Sequence, residues 1–272
     1  MFDGLSGEEN VTRRRLVKAV PGAVGVLLMA GAASARSVPQ PRAIAKPRPS
    51  RPRPVGSNSG VPVALPAQRK PIFTLADYRR IVPGPAFPTD SVALTIDDGP
   101  HPVWTPKILR LLARYHVPAL FCMIGNQVLG HESVAKIVTG DGHQLANHTW
   151  SHPTRLAGKP AALVRKEIHK AQDRIYDTTG YAPKLFRSPG GDWSPTVLQE
   201  SAKAGLVPLD WSDDPRDWSR PGVAAINRRL LAARPGQILL CHDGGGDRSQ
   251  TYASLSTVIP ALSARGYRFV SL

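Results

Sequence analysis

From Pro71 to the C-terminus the chain alternates short apolar runs with longer amphipathic segments, and no other feature restricts its fold so strongly. The apolar runs SVALTI, PALFCMIG, HQLAN, KLFRSP, LVPLDW, QILLCHD and YRFVSL read as strands. Helical patterns separate them. Thr105-Pro106 is expected to open KILRLLARYH as an N-cap followed by proline, and Ser194-Pro195 to open TVLQESAKAG in the same way. HESVAKIVTG should end at Gly140 and PAALVRKEIHKAQDRIYDTTG at Gly180, with GVAAINRRLLAAR and TYASLSTVIPALSARG as the last two helices, the latter kinked at Pro260. Regular strand–helix alternation makes a parallel sheet with helices outside it. No glycine-rich nucleotide loop follows the first strand, which disfavours an open doubly wound sheet. The expected fold class is therefore α/β, a small distorted (β/α) barrel of about seven parallel strands, behind a disordered N-terminal extension.

The net charge of +15 and pI near 10.4 would suggest a nucleic-acid partner. The distribution says otherwise. Twelve of the 35 Lys/Arg but only three of the 20 Asp/Glu lie in residues 1–70, and no nucleic-acid motif accompanies them. TRRRLVK (Thr12 to Lys18) is a twin-arginine pattern, followed by the apolar run AVPGAVGVLLMAGAASA with Ala33-Ser34-Ala35 as an A-x-A cleavage site. Residues 36–70 hold eight prolines among basic residues and Ser/Gly, and cannot bury a core. The expected organisation is an export signal over 1–35, a disordered linker over 36–70 and a globular domain over 71–272. The product is expected to be secreted or envelope-associated, its basic linker against an anionic envelope, without nucleic acid and as a monomer. The two cysteines, Cys122 and Cys241, lie within strands and are expected to be buried free thiols.

The polar residues fall at one end of the strands. Asp97-Asp98 closes the first, Asn147-His148 the third, Arg187 the fourth, Asp210 the fifth and His242-Asp243 the sixth. In parallel α/β folds this C-terminal face carries the active site. Two adjacent carboxylates repel unless a cation or a shared proton separates them. His148 and His152, four residues apart, could both reach one ion. With Asp98 they would form a two-histidine, one-carboxylate site with open positions. Such a site suits Zn²⁺, and also Co²⁺ or Fe²⁺.

These residues stand in five ordered motifs: TIDDGP, His148-Thr-Trp-Ser-His152, FRSPGGDW, DPRDW and Leu240-Cys-His242. Together they resemble the polysaccharide deacetylases of the NodB-homology family (carbohydrate esterase family 4), with Ile96 where the family has Phe, over roughly residues 90–272. The resemblance implies a distorted (β/α) barrel and a hydrolase that removes N-acetyl groups from N-acetylglucosamine polymers such as peptidoglycan or chitooligosaccharide. It makes Asp98, His148 and His152 the metal ligands and Asp97 the general base, tuned by Arg187, with Arg187 itself held by Asp217. His242 becomes the general acid. The Gly190 N–H would hold the oxyanion, and Leu240 and Trp218 would wall a pocket for the acetyl methyl. Glycine at 190, where the family often has an aromatic residue, puts substrate range in question. Trp193, with Trp150 and Trp211, would stack on sugar rings or pack the barrel rim. The rivals are acetyl-xylan O-deacetylation by the same machinery, and a non-catalytic carbohydrate-binding wall protein. A metal phosphoesterase would want more ligands than this count supplies.

Overall fold

The computed structural model describes residues 66–272. The expected export signal and the expected linker up to residue 65 lie outside the described residues. The chain runs α1 (Leu75–Ile81), β1 (Ser91–Asp97), α2 (Trp104–Tyr115), β2 (Leu120–Met123), α3 (Gly125–Val128), α4 (Glu132–Gly140) and β3 (Gln144–Asn147). It continues through α5 (Ala161–Thr179), β4 (Leu185–Phe186), α6 (Pro195–Lys203), β5 (Val207–Pro208), α7 (Val223–Leu230), β6 (Ile238–His242), α8 (Ser249–Ala264) and β7 (Arg268–Phe269). The strands pair in parallel in the order β5-β4-β3-β2-β1-β6, with β7 added against the start of β1. The sheet curls into a partial barrel, as the strand–helix alternation implied.

β1 shows how the curl is built. All seven of its residues are buried, and alternate side chains point to opposite faces. Val92, Leu94 and Ile96 join the core beneath the helices, with Ile108 and Leu112 of α2 and Leu255, Val258 and Ile259 of α8. Ala93 joins an inner cluster with Leu120, Cys122, Ala146, Leu185, Val207 and Ile238. Thr95 and Asp97 share the inner face by the same alternation. The first aspartate of the pair is thus a lumen residue of the barrel.

The gap between β5 and β6 is narrowed by a segment absent from the strand pattern. Ile72 bridges Leu209 and Thr74 bridges Gln237, while Asp213 bridges Leu239. Ile72 is buried in the inner cluster, and Thr74 caps α1 by accepting the Asp77 N–H at 3.0 Å.

Several local expectations change. Thr105 is not the cap of α2, which begins one residue earlier at Trp104. His101 Nδ1 accepts the Val103 and Trp104 N–H groups instead, and Thr105 Oγ1 accepts the His101 N–H and donates to Asp243. A buried carboxylate claims that hydroxyl, so a neighbouring imidazole serves the helix. Ser194 does cap α6, and Gly180 closes α5 with a left-handed φ of 68°. α8 runs through Pro260 without a break. Cys122 and Cys241 are buried and unpaired.

Ile72→Ala should lower the unfolding free energy by about 2–5 kcal/mol, the usual cost of emptying a buried isoleucine site. Urea unfolding measures it, and a loss well under 1 kcal/mol would mean that the closing segment is not part of the core.

Candidate active site and metal centre

The strand ladder continues past the strand ends and fixes the polar residues. His148 N–H donates to Met123 O (2.9 Å), Arg187 N–H to Asn147 O (2.9 Å) and Asp243 N–H to Asp97 O (3.0 Å). Asp97, Asp98, His148, His152, Gly190, Leu240, Trp218 and His242 all line one cavity of about 520 Å³, together with Trp211, Asp214, Gly245 and Arg248.

The adjacent aspartates have different backbones and different jobs. Asp97 ends the extended strand and points into the lumen, where Arg187 Nη1 donates to its Oδ1 at 2.7 Å. Asp98 turns into the left-handed region at φ 75°. Its Oδ1 lies 3.5 Å from His148 Nε2 and 3.4 Å from His152 Nε2. Asp97 Oδ2 is 3.7 Å from the same His148 nitrogen. Burial would raise the Asp98 carboxyl pKa, but the protonatable imidazoles of His148, His242 and His152 around it outweigh burial and hold the pKa far below the usual range.

The donor set fits a divalent cation. Asp98, His148 and His152 offer one ligand atom each, all within 4.8 Å of one another. His148 Nδ1–H donates to Arg187 O at 2.8 Å, which leaves Nε2 as the lone-pair nitrogen facing Asp98. Asp98 Oδ1 is buried and has no hydrogen-bond donor of good geometry among the described residues. Two imidazoles and one carboxylate with an uncommitted oxygen are what such an ion requires.

The loop bearing His152 is anchored from α5. Glu167 is buried and accepts the Ser151 N–H (2.8 Å) and the Ser151 hydroxyl (2.9 Å). Asn147 Oδ1 accepts the Thr149 N–H at 2.9 Å, and Thr149 Oγ1 accepts the His152 N–H at 3.1 Å. Thr149 and His152 hold positive φ values of 67° and 53°, a conformation L-residues adopt only when such bonds fix it.

Arg187 is not held by Asp217, contrary to the sequence reading. Its partners are Asp97, Thr95 Oγ1 (2.8 Å) and Asp210 O (2.9 Å). Asp217 begins a short 3-10 turn beside the end of β6 and so meets His242. Its Oδ1 accepts His242 Nδ1–H at 2.7 Å, and its Oδ2 accepts the His242 N–H and the Thr251 hydroxyl. Burial opposes the charge on His242, but Asp217 more than offsets it and the imidazole is pushed up to about 9. Asp217 is correspondingly held low against its own burial.

Trp193 is not a wall of the cavity either. Its ring packs edge-on against Phe186, and its indole N–H donates to Asp210 Oδ2 at 2.7 Å. Burial raises the Asp210 carboxyl to about 6. Trp211 takes the wall position instead. Gly190 sits at φ 63° with open space where a Cβ would be, so its backbone angle rather than crowding favours glycine. Gly244 is required for close approach: a Cβ there would lie 1.9 Å from Asp98 O. Arg248 was not foreseen from the sequence, and Asp214, although it opens DPRDW, had no role assigned to it. Trp211, named with Trp193 and Trp150 as a residue to stack on sugar or pack the rim, is the one of the three that lines the cavity.

The comparisons agree with this geometry. The polysaccharide deacetylase family model matches residues 85–209. A chitooligosaccharide deacetylase from Sinorhizobium fredii is 42% identical over 208 residues, covering 72% of this chain and 96% of the relative. The chain belongs to the polysaccharide deacetylase family. A peptidoglycan-N-acetylglucosamine deacetylase from Bacillus cereus is 39% identical, covering 66% of this chain and 85% of that protein. The crystal structure of a peptidoglycan N-acetylglucosamine deacetylase superposes with a TM-score of 0.67 at 32% identity, over 74% of this chain and 90% of that one. Polysaccharide deacetylases are hydrolases, so the strand-end cluster is read as hydrolytic machinery.

Removing the anchor of the His152 loop should loosen metal binding before it unfolds the protein. Glu167→Ala should weaken Zn²⁺ affinity by about 10–100-fold, the range for groups that orient ligands. Competition with a chromogenic chelator measures it, and an unchanged affinity in a folded variant would separate Glu167 from the site.

Proposed function

We propose that this chain is an exported, metal-dependent hydrolase that removes N-acetyl groups from N-acetylglucosamine-containing polysaccharide, peptidoglycan or chitooligosaccharide. One observation carries the reading. A carboxylate held by an arginine, a histidine held by a carboxylate and a two-histidine, one-carboxylate donor set all line one cavity. The names of the two curated relatives support the polymer class.

Asp98, His148 and His152 would hold the ion, with Zn²⁺ the metal that best suits the set and Co²⁺ or Fe²⁺ also compatible. When bound, the ion supplies an acidified water and polarises the amide carbonyl. Asp97 has one oxygen committed to Arg187 and uses the other to take the proton of the attacking water. His242 commits Nδ1–H to Asp217 and keeps Nε2–H for the leaving amine. Its raised pKa keeps it protonated at neutral pH, as a general acid must be. The Gly190 N–H steadies the oxyanion, and Leu240 and Trp218 receive the acetyl methyl. Export rests on the twin-arginine pattern and A-x-A site of residues 1–35, and the basic segment behind them would hold the enzyme at an anionic envelope.

Acetate release from chitopentaose, peptidoglycan and acetylated xylan tests the reading. Release from either N-acetylglucosamine polymer, abolished by EDTA and restored by Zn²⁺, is expected. Release from xylan alone would move the protein to ester cleavage, and no release at all would leave a binding protein. Asp97→Asn should keep the metal and lose about 10²–10⁴-fold in kcat, the range for a general base.

The Asp217–His242 pair fixes the alkaline limb. His242 must be protonated, so kcat/KM should fall as pH rises through about 9. Asp217→Asn removes the charge that raises this pKa and should move the limb to lower pH. A limb that stays in place would remove His242 from the role of acid.

A further inference from the structure

The proposed chemistry leaves two charged groups of the cavity lining unused, Asp214, which accepts the Arg216 N–H at 2.7 Å, and Arg248, the one arginine on these walls. This residue is 4% exposed. Its Nε–H donates to Gly244 O (2.6 Å) and its Nη1–H to Trp218 O (3.2 Å). Both acceptors are neutral carbonyls. Among the described residues Arg248 makes no ion pair, and the neighbouring Asp247 is taken by Arg220 at 2.8 Å. Nη2 has no hydrogen-bond partner among the described residues and lies beside Gly245, a wall residue of the cavity. A methyl group placed on Gly245 would lie 3.0 Å from Arg248 Nη2 and 3.1 Å from Asp98 Oδ2. The guanidinium and the ligand carboxylate therefore flank the same backbone position.

Local structure does not account for a cation here. Arg248 directly precedes α8, where the helix dipole favours negative charge, and its side chain makes no capping bond. A guanidinium taken out of water without an anion is costly, and a carboxylate is its natural complement. The acids Asp97, Asp98 and Asp214 on the same walls favour a single negative charge over a phosphate dianion.

We propose that Arg248 is a carboxylate-binding residue of the substrate cavity. The carboxylate is that of an acidic substituent on the glycan beside the reacting N-acetylglucosamine, or that of the acetate released. The first source rests on the deacetylase reading; carboxylate binding itself does not.

The test uses the full-length Zn²⁺-loaded protein, wild type, Arg248→Gln and Arg248→Lys. Acetate binding is titrated directly with ¹³C-acetate by NMR, which needs no turnover. Acetate release is then compared on a lactyl-bearing peptidoglycan oligosaccharide and on its methyl ester. Arg248→Gln should weaken acetate binding about tenfold or more. A drop in kcat/KM at least tenfold larger on the free acid than on the ester assigns the glycan carboxylate. Weakened acetate binding with equal effects on both glycans assigns the product. Arg248→Lys keeps the charge and should fall between wild type and Gln, and it carries the same comparison if the Gln variant does not fold. Unchanged acetate binding with unchanged or equally reduced turnover overturns the proposal, and loss of bound Zn²⁺ in both variants leaves Arg248 as a loop clamp only. A wild type that binds acetate through Arg248 but releases none from any glycan would sink the deacetylase reading and leave the carboxylate site standing.

Discussion

The ion pair between Arg187 and Asp97 is the interaction on which the rest of the site depends. Arg187 is the largest fully buried side chain among the described residues, and it fills the lumen of the curled sheet. Its side chain reaches from the end of β4 to Thr95 and Asp97 on β1 and to Asp210 O beyond β5. Its carbonyl accepts the His148 Nδ1–H and thereby selects the tautomer that faces Asp98. One residue thus positions both the proposed base and a proposed metal ligand. Such a pair is weak evidence for stability, because desolvation of both charges offsets much of their attraction. Removing either partner alone is another matter: the charge left behind is buried, at a cost of about 3–5 kcal/mol.

This arrangement explains how one strand can end in two aspartates. The strand alternation sends Asp97 inward to a guanidinium, and the left-handed turn at Asp98 sends the next carboxylate toward two imidazoles. The repulsion between neighbours is met by two separate groups of positive or protonatable partners. The turn also needs room. Gly244 lies so close to Asp98 O that no side chain could occupy it, and Asp243 packs against Gly99 with its own carboxyl raised to about 7 by burial. The loop after β6, which begins next to His242, and the loop after β1, which carries Asp98, are therefore packed as one unit.

The fold class and most site positions were legible because they follow from period and place. Apolar runs set the strands, and polar residues at their C-terminal ends set the face. What was not legible depends on which side chains meet across loops. Asp217 is separated from β6 by α7, and nothing in DPRDW tells whether its carboxylate turns to Arg187 or to His242. The capping of α2 failed for a similar reason: Thr105 is a good cap by type, but the buried Asp243 competes for its hydroxyl. Ile72 was invisible because a two-residue bridge has no period. β4 and β5 are almost as short, and were found only because apolar neighbours outside the ladder extended the pattern.

The two arginines of the site differ in a way that sequence cannot display. Arg187 is bound by a carboxylate, a hydroxyl and a carbonyl through its two terminal nitrogens, and the carboxylate meets its charge inside the protein. Arg248 is bound only by carbonyls, so its charge is not neutralised by any neighbour it touches. In a wall that also carries Asp97, Asp98 and Asp214, the second arginine is a positive charge without an anionic partner, unlike His242, which Asp217 holds. The polarity of the cavity is therefore uneven, and an elongated substrate with a localised negative charge would enter it in one orientation. A neutral chain would lack that constraint and would rely on the other wall residues, Trp218 and Trp211 among them. The placement of a single unpaired cation can thus decide the direction in which the polymer lies as well as how tightly it binds.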